Sequence, residues 1–257
     1  MGERSAVVTG GGRGIGLASV LKLAERGWHV VALDLREKDL SDLAARRLPN
    51  VRTLAGDVAD QGSLRAAVDL ATSMSPLAGW VNNAAVAPVE AVHLTTREQF
   101  DRAMAVNVGG TFWGCSVAIN AFLASRIAGA VVNVSSIHGS RGFQGWGAYD
   151  TTKGAIEALT RNLAVEYGPY GIRANAVAPG TIRTPMHVEM LARGADPEAA
   201  EALLAAHPPL GRVGHQDEVG AVVAFLLSDE ASYVSGQTIG VDGGWNAQAQ
   251  LTVRPGR

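Results

Sequence analysis

Cysteine is almost missing from this chain: Cys115 is the single one in 257 residues. An internal disulfide is therefore excluded, and no Cys/His cluster has zinc spacing, so no bound metal is expected. Cys115 itself reads as a small packed apolar residue. Charge is also sparse. Charged residues make up 18 %, the formal net charge is −2, and no long run of one sign occurs. That excludes the electrostatic footprint of a nucleic-acid or anionic-membrane surface. No apolar stretch reads as long and unbroken enough to span a bilayer. The first five residues run straight into an apolar segment without the layout of a signal peptide. Ala6 stands where a myristoylation signal would want Ser or Thr. A cytoplasmic location is the expectation. Linkers, repeats and low-complexity tracts are lacking too.

What the chain does have is apolar sequence, at 47 %. That is enough for a substantial core. Short β-branched runs fall at residues 6–9, 29–34, 51–54, 79–82, 130–134, 173–178 and 238–241. Most are continuously apolar, as parallel strands covered on both faces should be. Between them lie helical segments, including 15–26, 64–74, 155–167 and 219–227. Regular strand–helix alternation implies right-handed βαβ units and one doubly wound sheet. Residues 185–209 break the alternation. They read as a helical excursion after a strand's carboxyl end, a suitable place for a lid over a site.

Thr9-Gly10-Gly11-Gly12-Arg13-Gly14-Ile15-Gly16 follows the first strand and opens the first helix. Glycines there allow a tight turn and close approach of a pyrophosphate, toward which the N–H groups of the helix start point. The spacing is Gly10-x-x-x-Gly14-x-Gly16 and not the strict G-x-G-x-x-G. Asp34 closes the second strand, about twenty residues on, where a carboxylate can accept from ribose hydroxyls. It would repel a 2′-phosphate, which favours NAD(H) over NADP(H). Arg13 and Arg36 stand close enough in sequence to reach a phosphate, so NADP stays open.

Tyr149 and Lys153 are four apart and share a face of the helix beginning near Ala148. A free phenol has a pKa of about 10, too high for a base at neutral pH. A neighbouring ammonium and the positive nicotinamide ring both favour the phenolate. Tyr149 could then exchange a proton with an alcohol or carbonyl while a hydride moves to or from the cofactor.

From here the sequence closely resembles the short-chain dehydrogenase/reductase family, over nearly the whole chain and in order. The glycine turn is similar to the family's T-G-x-x-x-G-x-G. Asp57-Val58 resembles the adenine-side Asp motif, and Asn82-Asn83-Ala84-Ala85 resembles N-N-A-G, with Ala85 replacing the usual glycine. Asn107 sits at the family's asparagine, and Val132–Ser136 resembles the strand ending in the serine. Tyr149–Lys153 matches Y-x-x-x-K. Asn175–Gly180, followed by Thr181–Thr184, resembles the N-x-x-x-P-G segment, and Val241–Gly244 the closing motif.

The resemblance implies a single-domain α/β Rossmann fold across 1–257, doubly wound, with a mostly parallel seven-stranded sheet. It implies Asn107, Ser136, Tyr149 and Lys153 as the catalytic set. Ser136 would hold the substrate oxygen. Lys153 would hold the nicotinamide ribose and acidify Tyr149, and Asn107 would hold a water linking Lys153 to solvent. The cofactor would lie along Gly10, Arg13, Gly14, Ile15, Gly16, Asp34, Asp57, Val58, Asn83, Ala84, Tyr149, Lys153, Pro179, Gly180, Ile182 and Thr184. Ser136, His138, Gln144, Tyr149 and His187 are the candidates to touch substrate. Arg141 and Trp146 are either pocket residues or surface and subunit contacts. Asp150 replaces a commoner small residue and is expected to point away from Tyr149, toward solvent or another subunit.

The implied activity is NAD(H)-dependent interconversion of a secondary alcohol (a sugar, polyol or other polar hydroxy compound) and its carbonyl. Two alternatives remain: an NADPH-dependent ketoreductase of the 3-oxoacyl thioester type, and a non-catalytic dinucleotide-binding sensor. A homotetramer or homodimer is expected from the resemblance, with a small alcohol or carbonyl as the partner molecule.

Overall fold

The computed structural model describes residues 3–192 and 195–248. Seven strands form one sheet: β1 (Ser5–Thr9), β2 (His29–Asp34), β3 (Val51–Ala55), β4 (Leu77–Asn82), β5 (Ala130–Val134), β6 (Arg173–Pro179) and β9 (Thr238–Val241). Their order is β3-β2-β1-β4-β5-β6-β9, and every pairing is parallel. A second, two-stranded sheet pairs β7 (Ile182–Arg183) with β8 (Gly214–His215). All five residues of β1 and all five of β5 are buried. Both of their faces are covered, so the sequence runs apolar without alternation.

One core layer packs α1 (Gly14–Glu25) and α9 (Gln216–Leu227) on the sheet through Val8, Val20, Leu23, Val219, Val223 and Leu226. The opposite layer holds α3 (Gln61–Met74), α5 (Gly110–Ser125) and α6 (Gly147–Tyr167) over Val7, Val31, Trp80 and Val131. Each fully buried Val or Leu contributes roughly 1.5–3 kcal/mol. α2 (Glu37–Ala44) follows β2. The 185–209 excursion consists of α7 (Pro185–Leu191) and α8 (Pro197–Ala206). Of the tail after Gly244, expected from the sequence to gain order from another subunit, Trp245–Ala247 form a 3-10 turn and residues 249–257 lie outside the described residues.

One expectation is corrected here. Residues Arg97–Ser125 form a helical run of 29 residues that is long and apolar enough to cross a membrane by length and composition. It comprises α4 (Arg97–Ala103), a π-helical turn (Met104–Gly109) and α5. Small residues and Phe122 turn inward against the sheet, while Phe112, Trp113 and Leu123 face outward. Both faces are apolar, so no stripe at helical spacing announces the run.

Strand order reverses between β1 and β4, and the crevice beyond their carboxyl ends is where such sheets bind ligands. The turn after β1 enters that crevice. Gly10 and Gly14 have φ of +62° and +58°, conformations that favour glycine. Gly16 is required for a different reason: a Cβ there would overlap the Gly10 carbonyl oxygen. Gly16→Ala is expected to cost about 1–3 kcal/mol through this overlap, read as a fall in the thermal midpoint. An unchanged midpoint would refute the close packing.

Candidate active site

The glycine-rich turn is braced from behind. The Thr9 hydroxyl accepts from the backbone N–H of Asn83 (3.0 Å) and of Ala84 (3.1 Å). The Asn83 amide donates to the Thr9 and Gly10 carbonyls, both at 3.0 Å. Asn83 and Ala84 therefore fasten the end of β4 to the turn. Thr9 is a site residue to which sequence reasoning gave no role, although it heads the motif.

At the start of α1, Arg13 supplies no side-chain cap and the first turn carries no acidic residue. An uncapped helix N-terminus with no competing carboxylate fits a pyrophosphate. Asp34 lies beneath the turn, nearly buried, with Oδ2 accepting from Gly12 N (2.9 Å) and Oδ1 from Arg36 N (3.0 Å). Arg13 is committed to other carboxylates: Glu189 of α7 at 2.5 Å and Asp39 of α2 at 3.8 Å. Arg36 is exposed. Asp57 is engaged by Arg102 at 3.2 Å and by Ala59 N at 2.9 Å, while Val58 is buried against Gly110. On the other side, Pro179 ends β6 and Gly180 donates to the Val241 carbonyl at 3.1 Å. Ile182 is buried in β7. Thr184 caps α7 through His187 N (3.2 Å), and its side chain faces Gly14. Ile15 follows Gly14 in the first turn of α1.

Ser136 follows β5 and begins a 3-10 turn over Ile137–Gly139. Tyr149 and Lys153 project from the start of α6. The Ser136 hydroxyl lies beside the Tyr149 phenol and acts to lower its pKa. Lys153 is 2 % exposed, and its Nζ donates to the Val134 carbonyl at 2.8 Å and lies 5.3 Å from the centre of the Tyr149 ring. Neighbouring Ser135 donates to buried Glu157 at 2.9 Å, so it belongs to the scaffold.

Asn107 has no exposed surface. Its Oδ1 accepts from Val86 N at 2.8 Å. Its Nδ2 donates to Val86 O at 2.8 Å and to Thr152 Oγ1 at 3.1 Å. Thr152 in turn donates to the Tyr149 carbonyl at 2.7 Å. The π-helical turn carries Asn107 between the loop after β4 and the first turn of α6, and such turns recur at functional sites. Its side chain thus positions the Tyr149 backbone through Thr152.

Desolvation pushes the Tyr149 phenol up to about 12, against the lowering effect of Ser136. This differs from the acidified phenol expected from the sequence, because burial outweighs its neighbours. Burial also pulls the Lys153 ammonium down to about 8, with Glu157 acting the other way. The unfolded chain binds this proton more tightly, so the parent loses stability as pH falls from above 10.5 through about 8. We expect the parent to gain on Lys153→Met as pH rises from about 8 to 10, by up to about 1.4 kcal/mol per unit. Urea unfolding at stepped pH measures this. A gain on lowering pH would contradict it.

Asp150 contradicts its expected orientation. It turns back over the helix start, with Oδ1 2.6 Å from His138 Nδ1 and Oδ2 accepting from Phe143 N at 3.0 Å. The loop before α6 folds over that first turn and supplies partners that an isolated helix lacks. Phe143, Trp146 and Tyr149 surround the His138 ring. Trp245 meets Phe143 edge-on at 5.9 Å and stacks on His207 at 4.8 Å. The Phe143–Trp245 contact joins residues about a hundred apart in sequence and carries no local signal. Arg141 donates to Asn246, which settles it as scaffold. Gln144 is exposed. His187 is buried under α7 with an unpartnered Nε2, and its charged neighbours are Glu201 and Arg183. Neither joins the Ser136–Tyr149 group by a hydrogen bond or ring contact. Cys115 is buried in the core, its thiol pushed up to about 12 by desolvation.

A serine, a tyrosine and a buried lysine thus meet beside a phosphate-ready turn at the sheet's reversal point. Residues 10–246 match the family model described as enoyl-(acyl carrier protein) reductase. Levodione reductase of Leifsonia aquatica is 38 % identical over 259 residues, covering 95 % of each chain. The chain belongs to the short-chain dehydrogenase/reductase family. L-xylulose reductase of Bos taurus is also 38 % identical, over 95 % of this chain and 97 % of its own. A crystal structure of levodione reductase superposes with a TM-score of 0.90 at 35 % identity, covering 95 % of this chain and 98 % of that one. As a short-chain dehydrogenase/reductase, the protein is an oxidoreductase of hydroxy and carbonyl compounds that binds a nicotinamide dinucleotide.

Proposed function

We propose that the protein is an NAD(H)-dependent dehydrogenase that interconverts a secondary alcohol and its ketone. The observation that carries this reading is Ser136 beside the Tyr149 phenol, with the Lys153 ammonium 5.3 Å from the tyrosine ring. When bound, the nicotinamide supplies or accepts the hydride. Ser136 donates to the substrate oxygen and stabilises it as charge develops. Tyr149, protonated at neutral pH, gives its proton to that oxygen in reduction and takes it back in oxidation. The Lys153 charge favours the phenolate left behind. Asn107 holds the Tyr149 turn in place.

NAD(H) over NADP(H) is supported by Asp34 under the turn and by Asp39 and Glu189 around Arg13. A 2′-phosphate would meet carboxylates, and Arg13 is already paired, which leaves exposed Arg36 as the cation beside Asp34. This weighs against the NADPH-dependent ketoreductase. The intact set Asn107, Ser136, Tyr149 and Lys153 weighs against a pure sensor, which needs no tyrosine. α7 and α8 act as the lid, tied to the turn through Glu189 and Arg13. A homotetramer or homodimer is the proposed assembly, supported by apolar side chains on outer helix faces, Phe112, Trp113, Val165 and Phe225. A cytoplasmic location accords with a lone buried thiol. Growth of NADH absorbance when secondary alcohols are mixed with NAD+, and its failure in a Tyr149→Phe variant, tests the reading.

A further inference from the structure

The His138–Asp150 couple stands beside the reacting group and has no part in the proton transfer. Asp150 binds with both oxygens, to His138 Nδ1 and to Phe143 N. An ionised carboxylate only accepts, so the proton of this contact sits on Nδ1. Burial lowers the proton affinity of the ring and Lys153 acts in the same direction, while Asp150 opposes them. The neutral ring then presents Nε2 as a bare acceptor.

Three rings fix the plane of the imidazole. Phe143 lies 4.1 Å away, Trp146 4.8 Å, and Tyr149 meets it edge-on at 5.2 Å and 80°. Among the described residues Nε2 has no hydrogen-bond partner, and it is not sealed from solvent. His138 stands two residues from Ser136 and its ring meets the Tyr149 ring edge-on, so the imidazole lies beside the group that takes the reacting oxygen.

We propose that His138 Nε2 accepts a hydrogen bond from a second hydroxyl of the substrate, on a carbon neighbouring the reacting one, with Asp150 as its positioning residue. The substrate is then a vicinal diol in oxidation and an α-hydroxyketone in reduction. A bare acceptor has nothing to offer a carboxylate or a second ketone. The Phe143 and Trp146 faces suit the C–H surfaces of such a molecule. The proposal rests on the dehydrogenase reading and deepens it.

The experiment compares kcat/KM with NAD+ for vicinal diols and their mono-ol counterparts: butane-2,3-diol against butan-2-ol, and cyclohexane-1,2-diol against cyclohexanol. A site built to bond a hydroxyl discriminates strongly against the analogue lacking it. The parent should prefer the diols by about 100-fold or more. His138→Phe keeps the stacked ring and should bring that ratio within about threefold. His138→Gln returns an acceptor on a looser chain and should give an intermediate ratio; NADH titration reports that each variant is folded. Equal use of diol and mono-ol by the parent, or a preference that survives in His138→Phe, overturns the proposal and leaves the dehydrogenase reading standing. If NADH binds and neither class is oxidised, the dehydrogenase reading falls and the proposal with it.

Discussion

Replacing Tyr149 by Phe is expected to cut turnover by about 10²–10⁴-fold, the range for a positioned general acid/base. NADH binding should persist, read by fluorescence titration. The change removes one oxygen and little else. The ring keeps its contacts with His138 and Trp146, and the backbone carbonyl keeps its bond from Thr152. Ser136 loses a polar neighbour, a cost of at most about 1 kcal/mol in stability. That is too small to unfold a domain of this size, so loss of rate at full cofactor binding isolates the chemistry. A sensor that kept the fold only for binding predicts no change, because no function of such a protein passes through the hydroxyl. An unchanged rate with a secondary alcohol would remove the mechanism.

Much of the architecture could be read from residue order. The strands expected at 6–9, 29–34, 130–134 and 238–241 fall on β1, β2, β5 and β9 to within a residue. They could be read because parallel strands buried on both faces must be apolar throughout. The helical run Arg97–Ser125 escaped because it is apolar on both sides: Gly110, Gly114 and Ala118 face the sheet while Phe112 and Trp113 face out. A moment-based reading needs a polar face to mark the helix, and this one has little. In the site, Asp34, Ser136, Tyr149 and Lys153 each sit at the end of a strand or the start of a helix, where motif spacing locates them.

What the residue order hid were partners supplied from elsewhere. Asn107 looked like a water ligand, yet its side chain is used on Val86 and Thr152. Asp150 looked outward on a helical wheel until the loop before α6 gave it His138 and the Phe143 N–H. Arg13 looked ready for a phosphate until α2 and α7 brought Asp39 and Glu189 to it. In each case a longer-range contact decided the role of a side chain whose position was known in advance.

The same contacts set the second large effect, on cofactor choice. The parent should use NAD+ over NADP+ by about 100-fold or more in kcat/KM. Asp34→Asn should narrow that ratio by about 10- to 100-fold, mainly by weakening NAD+ use. Hydrogen bonds to a charged group are worth about 1.5–3 kcal/mol each, and the neutral amide forfeits part of that with the ribose hydroxyls. The amide keeps one oxygen for Gly12 N, so the turn should hold its shape. KM should carry most of the change, since ribose contacts are equal in ground and transition states. Complete inversion is not expected from this change alone. Arg13 remains paired with Glu189 and near Asp39, so Arg36 alone is left to meet a 2′-phosphate. Adding Asp39→Ala should move the ratio further toward NADP+, because it removes the second carboxylate and loosens Arg13. A parent that turns over NADPH as readily as NADH would show that Asp34 serves the turn and not the choice of cofactor.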